Sequence, residues 1–338
     1  MAIINTKLLI ELINAFGVSG FEEEVRNIIE REIKKYVDDV YIDTLGNLIA
    51  HKKGNIPKVM LAAHMDEVGF IVRGISKNGN IYFSTIGGIE PLSLLGKNVI
   101  LIGKEKIKGS ITSQEFSDGE KVEKIDAKNL FVTTGLSPET LEKKGIEIGS
   151  YIALESKCYL QEDFILGKAL DDRISCFILI ELARRLKYVK NETYFVFTVQ
   201  EEVGLYGAKT SSYEIQPAWA ISVDVTTTDS KSFATRELGN GPCIIIKDSE
   251  VISNKCLNGW LRDIAKRKKI PVQLVVSETG TTEALTISMS RGGIPATSVG
   301  VAVENIHSSR SIASLRDIEN CILLLEELLS NPPKVCLV

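Results

Sequence analysis

The sequence contains few histidines and no closely spaced pair of cysteines. Only His51, His64 and His307 occur among its 338 residues, and its six cysteines are scattered without a C-x-x-C pair. This pattern fits buried free thiols in a reducing compartment better than a disulfide framework. The amino terminus also lacks the basic region of a signal peptide, so we predict a cytoplasmic protein.

A strong charge excess and a long apolar run are missing as well. The 40 basic and 44 acidic residues leave a formal net charge of -4, which gives no electrostatic reason to expect nucleic acid as a partner. The dense basic run Lys266–Lys269 closes a predicted helix before Pro271, where cations are favoured by the helix dipole. No stretch approaches the ~20 apolar residues that span a bilayer, so a membrane is not expected either.

The chain is long enough for two domains, and its sequence pattern changes twice. Helix and strand patterns alternate through residues 1–67 and 165–338, which predicts an α/β fold with a mixed sheet flanked by helices. From Val68 to Phe164, short β-rich runs alternate with Gly, Asn and Lys turns, which predicts a small inserted all-β domain. Near the start, Ser19 and Glu22 have capping-box spacing for a helix.

The first candidate site residues follow a buried-strand pattern. His64 comes directly after the apolar run Val59–Ala63, and Asp66 follows two residues later. Because side chains alternate along a strand, both residues should point the same way, so Asp66 can orient a metal-bound imidazole. A structural histidine is the alternative, since an H-x-D pattern also occurs by chance.

Paired carboxylates occur at two further junctions. Asp171 and Asp172 stand at the start of a predicted helix, where one can serve as a helix cap and the other stays available as a ligand. Glu201 and Glu202 follow the apolar strand Tyr194–Val199, at the edge where open α/β sheets place their sites. A solvated acidic turn is the alternative for the glutamate pair.

Two more potential ligands come after predicted strands. Asp224 follows the apolar run Ala218–Val223, and His307 follows the strand Ala296–Val301. Core strands seldom deliver charge repeatedly to one edge without a cation to neutralise it. Nitrogen and oxygen ligands without cysteine suit Zn²⁺, Co²⁺ or Mn²⁺, and five of them can hold two ions if one carboxylate bridges.

These motifs, in this order, resemble the TET-type aminopeptidases, a family of dinuclear metallopeptidases that includes glutamyl aminopeptidases and relatives labelled endoglucanases. The resemblance covers nearly the whole chain. It rests on Gly17-Val18-Ser19-Gly20, Asp43-x-x-Gly46-Asn47, His64-x-Asp66, Asp171-Asp172-Arg173, Glu201-Glu202-x-Gly204, Asp224 and His307.

The resemblance implies roles for the matching residues. His64 and Asp224 would hold one ion, Glu202 and His307 the other, and Asp171 would bridge them. Glu201 would be the general base, and Asp66 would orient His64. It also implies a zinc-peptidase-like host domain with a PDZ-like insertion, peptide substrates, and homo-oligomers built from dimers into dodecamers.

One position departs from the family pattern. Members often carry Gly-Thr-Asp-Ala where this chain reads Gly280-Thr281-Thr282-Glu283-Ala284, so the acid is longer by one methylene. Glu283 and the residues after Asp224 are candidates for the wall of the substrate pocket. A glycoside hydrolase, a metal-dependent deacylase and an inactive metal-binding scaffold remain the alternative functions.

Overall fold

The computed structural model describes residues 4–113, 126–228 and 236–333. Within these ranges the α-helices are α1 (Thr6–Asn14), α2 (Glu23–Ile33), α3 (Pro138–Lys143), α4 (Leu170–Arg185), α5 (Tyr206–Ile215), α6 (Lys255–Lys268), α7 (Ala284–Ser288) and α8 (Leu315–Ser330). Short 3₁₀ turns occur at Pro91–Leu94 and Ala127–Asn129. None of the helices in the described ranges is long and apolar enough to cross a membrane.

Most of the described strands belong to one eleven-stranded sheet. They are β1 (Asp39–Ile42), β2 (Leu48–Lys52), β3 (Asn55–His64), β10 (Tyr159–Gln161), β11 (Phe164–Gly167), β12 (Asn191–Thr198), β13 (Trp219–Thr227), β14 (Cys243–Lys247), β15 (Gln273–Val276), β16 (Ala296–Glu304) and β17 (Ser311–Ser314). Their order is β1-β2-β12-β3-β13-β16-β17-β11-β10, and β14 and β15 branch from β16.

The centre of this sheet is parallel and buried on both faces. Strands β12, β3, β13 and β16 are parallel neighbours, whereas the pairs β1–β2, β2–β12, β16–β17 and β11–β17 are antiparallel. Along β3, Leu61 and Ala63 pack on the side of α1, α2, α4, α6 and α8, while Met60 and Ala62 pack on the side of α5 and α7. This two-residue alternation confirms the mixed α/β fold with helices on both faces.

The remaining strands close into a barrel. They are β4 (Gly69–Ile75), β5 (Ile81–Ile86), β6 (Asn98–Ile102), β7 (Lys106–Ser113), β8 (Leu130–Thr133) and β9 (Tyr151–Leu154), in the order β4-β5-β8-β7-β6-β9. Phe70, Phe83 and Leu101 lie in its buried core. The next strand, β10, pairs with β11 and belongs to the large sheet. A domain division at residues 68 and 164 and a PDZ-like character both stay predictions.

One local prediction is wrong, and another holds only in part. The capping box fails because α2 begins at Glu23 without a side-chain cap, and Ser19 instead donates its hydroxyl proton to Asp66 Oδ2 at 2.6 Å. The expectation of free thiols holds for the buried cysteines 158, 176, 243 and 321, but Cys256 is disulfide-bonded. Cys336 lies outside the described residues.

Candidate active site

His64 is the last residue of β3, and a backbone carbonyl fixes one side of its ring. Its Nδ1 lies 3.1 Å from the carbonyl oxygen of Asp66, which can only accept, so Nδ1–H is the donor. The Nε2 atom therefore faces inward, 3.0 Å from Asp171 Oδ1 and 3.9 Å from both Glu201 Oε2 and Asp224 Oδ1. The side chain is buried, so this ring interacts with carboxylates in place of water.

The two adjacent aspartates at the start of α4 have different partners. Asp171 and Asp172 have non-helical backbone angles there. Asp171 Oδ1 faces His64 Nε2, and its Oδ2 lies 3.2 Å from His307 Nε2, so the carboxylate stands between the two imidazoles. Asp172 Oδ2 instead accepts the backbone N–H of His64 at 3.3 Å. Of this pair, Asp171 therefore has the geometry of a bridging ligand.

Asp66 anchors the turn that carries the paired glutamates. Its Oδ1 accepts the backbone N–H of Glu201 at 3.0 Å, and its Oδ2 accepts that of Glu202 at 3.2 Å and the hydroxyl of Ser19. Both oxygens of this buried carboxylate are thus engaged, while its carbonyl oxygen holds the His64 ring. Asp66 positions several other site residues.

His307 follows β16, and its ring is anchored by the barrel. Its Nδ1 lies 2.7 Å from the carbonyl oxygen of Gly88, so Nδ1–H again donates and Nε2 points inward. There Nε2 lies 3.1 Å from Glu202 Oε1. His307 itself has a positive φ of 58°, a backbone conformation that is uncommon for residues other than glycine.

Asp224 lies inside β13, three residues before the strand ends. Its close neighbour in the sheet is Gly300 of β16, and a Cβ atom at Gly300 would stand 1.9 Å from the carbonyl oxygen of Asp224. Only glycine allows β16 to approach Asp224 this closely.

The charges of the site are poorly balanced without a cation. Burial raises the pKa of Glu201 and of Asp224 well above the usual carboxyl range, and neighbouring negative charges add to the increase. Burial disfavours the charged form of His307, but its hydrogen bonds with Asp171 and Glu202 outweigh that effect and raise its pKa to about 11. A proton on Nε2 takes the place here that a positive ion would take.

The donor atoms converge in groups that fit divalent ions. One ligand atom each from His64, Glu201 and Asp224, and likewise from Asp171, Glu202 and His307, lies within 4.8 Å of the others in its group. A further such group joins Asp171, Asp172 and Asp224. Two imidazole Nε2 lone pairs that face carboxylates need either a proton or a metal ion between them, so the residues fit a metal centre.

The centre opens into a cavity of about 1030 Å³. Uncharged side chains dominate the wall beyond the cluster, among them Thr226, Thr227 and Leu285. The residues that follow Asp224 therefore do line the cavity. Glu283 does not, since it is buried behind the site and accepts the Thr198 hydroxyl at 2.5 Å.

Comparison with known proteins agrees with this geometry. The family model described as M42 glutamyl aminopeptidase matches residues 46–324. The chain belongs to the M42 glutamyl aminopeptidase family. A putative aminopeptidase of Acetivibrio thermocellus is 39% identical to this M42 chain over 323 residues, which are 95% of this chain and 97% of the relative.

Solved structures show the same M42 fold. A TET aminopeptidase from a marine sediment archaeon of the Thaumarchaeota superposes with a TM-score of 0.94 at 35% identity, covering 97% of this chain and 96% of the other. The TET1 peptidase of Pyrococcus horikoshii, which can assemble into a tetrahedron or a large octahedral shell, gives a TM-score of 0.89 at 28% identity, with 96% and 99% covered.

These matches confirm the predicted family, fold class and peptide-hydrolase activity. They leave no support for the glycoside hydrolase alternative, because the chain belongs to a peptidase family. The M42 family is a family of metallopeptidases, which agrees with the clustered histidines and carboxylates. The positioning roles of Ser19, Gly88 and Gly300 were not predicted from the sequence. Of these residues, only Ser19 lies in a motif that carried the resemblance.

Proposed function

We propose that this M42 chain is an aminopeptidase with two bridged divalent ions. His64 and Asp224 would hold one ion, Glu202 and His307 the other, and Asp171 would bridge them. The observation that supports this most directly is that the two imidazole Nε2 atoms approach the two different oxygens of Asp171, at 3.0 and 3.2 Å. When bound, such ions polarise the scissile carbonyl and lower the pKa of the attacking water.

Glu201 is the general base in this proposal. Its backbone is fixed by Asp66, and its Oε2 lies 3.9 Å from His64 Nε2, further than Asp171 lies from either imidazole. The carboxylate accepts a proton from the attacking water and passes it to the leaving amine. Its buried, negatively charged setting favours the protonated form between these two steps.

Zn²⁺, Co²⁺ or Mn²⁺ suits the centre, because the donors are imidazole nitrogens and carboxylate oxygens. Cys176 lies next to the site, but its Sγ donates to the backbone oxygen of His64 at 3.1 Å and does not face the candidate metal ligands. Thiolate ligation, which is common in closed structural zinc sites, is therefore not part of the proposal.

The barrel has a separate role in this proposal. Residues 1–67 and 165–338 form the catalytic domain, and residues 68–164 form an inserted, PDZ-like domain for oligomerisation and substrate access. The Pyrococcus horikoshii TET1 peptidase can assemble into a tetrahedron or a large octahedral shell, which supports a homo-oligomer. We propose that this chain forms dimers that build a dodecamer. We propose peptide substrates and a cytoplasmic location. Light scattering of the purified full chain tests the assembly.

The test of the proposed chemistry compares Glu201→Gln with Glu139→Gln, which changes an exposed glutamate on α3. Each protein is assayed on a panel of aminoacyl-anilides, and its metal content is measured. Glu201→Gln should keep two ions per chain and lose about 10²–10⁴-fold in kcat, because the amide cannot accept the proton. Full activity would contradict the base assignment. Loss of one ion would make Glu201 a ligand, as its proximity to His64 and Asp224 also allows.

A further inference from the structure

The second proposed metal position, built on Glu202 and His307, also involves a residue of the barrel region. His307 is a candidate ligand, and its ring orientation is set by the carbonyl oxygen of Gly88, 2.7 Å from Nδ1. Gly88 lies in the barrel region, two residues after β5 ends, and is separated from His307 by 219 positions in sequence. A carbonyl that fixes a metal-binding imidazole usually changes metal affinity when it is moved.

Gly87, the residue before Gly88, is tightly enclosed. Gly87 has a φ of +77°, and a Cβ atom placed on it would lie 2.6 Å from Val68 Cγ1 and 3.3 Å from Glu202 Oε2. Gly87 therefore lies against a second candidate ligand of the same metal position. A Cβ atom here requires a shift, and an L side chain is also strained at this φ. We therefore expect the Gly87–Gly88 backbone to move, together with the carbonyl that holds His307.

The same segment is attached to the catalytic part from its other side. Ile86 packs on a cluster that joins Phe16 and Val18 of the amino-terminal loop to Ala153 of β9. Val18 in turn pairs with Glu67 at the entry to the barrel. The position of Gly87 and Gly88 thus depends on how the barrel is seated on the amino-terminal loop.

We infer that the Gly87–Gly88 segment of the barrel positions His307, so that occupancy of the second metal position depends on the seating of the barrel. The first position, built on His64 and Asp224, has no contact with this segment among those the described residues show. Displacement of the barrel segment therefore weakens binding of the ion at His307 and leaves binding of the ion at His64 unchanged. This inference rests on the proposed pair of metal positions.

Two glycines of the barrel region, Gly87 and Gly74, offer a matched pair of variants for the test. Gly87→Ala must shift its surroundings, because its Cβ would lie 2.6 Å from Val68 Cγ1. Gly74→Ala in β4, where nothing lies within 4 Å, controls for a change elsewhere in the barrel. Metal-free full-length protein is titrated with Co²⁺ by calorimetry, and the visible absorption of the bound Co²⁺ is recorded.

Gly87→Ala should weaken the second binding step by about 10–100-fold and leave the first unchanged. Gly74→Ala should bind like the parent protein. In a His307→Ala background, which lacks the ring, Gly87→Ala should cause no additional loss. The inference is overturned if folded Gly87→Ala binds both ions normally, or if both steps weaken together. If Gly87→Ala does not fold, Ile86→Ala replaces it under the same criteria.

An error in the proposed metal assignment would give a different experimental result from an error in the role of the barrel segment. If His307→Ala binds as much Co²⁺ as the parent protein, the assignment of His307 as a ligand is wrong. If His307→Ala loses one ion but Gly87→Ala loses none, the metal assignment stands and only the role of the barrel segment is overturned.

Discussion

Asn47 is predicted to hold Glu201 and Glu202 in place through one buried amide. Its Oδ1 accepts the backbone N–H of Val199 at 3.0 Å, across 152 positions in sequence. Its Nδ2 donates to Asp43 Oδ2, Gly207 O and Thr210 Oγ1 at 2.6, 3.1 and 3.2 Å. The amide therefore ties both ends of the turn that contains Glu201 and Glu202.

The effect of Asn47→Ala follows from these contacts. The Val199 N–H loses its buried acceptor, which costs about 1–3 kcal/mol, and the lost donor bonds add about 1 kcal/mol. We expect the free energy of unfolding to fall by about 2–4 kcal/mol. Because Glu201 lies two residues beyond Val199, a displacement of about 1 Å should lower kcat by about 10²-fold.

Two measurements separate positioning from stability. Denaturant unfolding gives the free energy, and steady-state kinetics at a temperature where the variant is folded gives kcat and KM. Thr210→Val serves as the control, because it removes one Nδ2 acceptor and leaves the bond to Val199. It should keep nearly full activity. If folded Asn47→Ala retains the parent kcat, Asn47 does not position the glutamates.

Two further predictions concern a close backbone contact and a buried acid. Gly300→Ala should reduce metal content by one ion, because its Cβ would stand 1.9 Å from the Asp224 carbonyl oxygen, and the strain should cost about 1–3 kcal/mol. Gly259→Ala in α6, where open space surrounds the glycine, is the control and should keep both ions. Elemental analysis measures the metal content of both variants. Two ions in Gly300→Ala would refute this prediction. Burial, aided by the charge of Asp66, raises the pKa of Glu22 from 4.5 to about 7. A raised carboxyl pKa lowers stability as pH rises from about 4.5 through 7, by at most about 3 kcal/mol. Glu22→Gln should therefore be stabilised relative to the parent protein at pH 8 and much less at pH 4.5, and an equal difference in denaturant midpoint at both pH values would contradict this.

The clustered site could be predicted because strand burial is visible in sequence. The apolar run before His64 and the run before Glu201 predict neighbouring buried strands, and parallel strands bring their carboxyl ends to one edge. Asp224 was predicted at the end of its strand but lies inside β13. Strand ends are poorly defined by hydrophobicity, because the polar residues that continue β13 keep its hydrogen bonds.

The positioning residues could not be predicted from local patterns. Ser19 has capping-box spacing, but the buried carboxylate of Asp66 competes for its hydroxyl in the folded chain. The contact between Gly88 and His307 depends on how the barrel sits against the catalytic part, and no local pattern encodes it. Gly300 likewise looks like any glycine in a strand until its neighbour Asp224 is known.

The central claim, that Asp171 lies between two ions, is tested most directly by anomalous diffraction. Crystals grown with Zn²⁺ or Co²⁺ are measured above and below the absorption edge of the metal. We predict two anomalous peaks about 3.5–4 Å apart, one beside His64 Nε2 and one beside His307 Nε2, with Asp171 contacting both. A single peak, or peaks that Asp171 does not contact, would contradict the account.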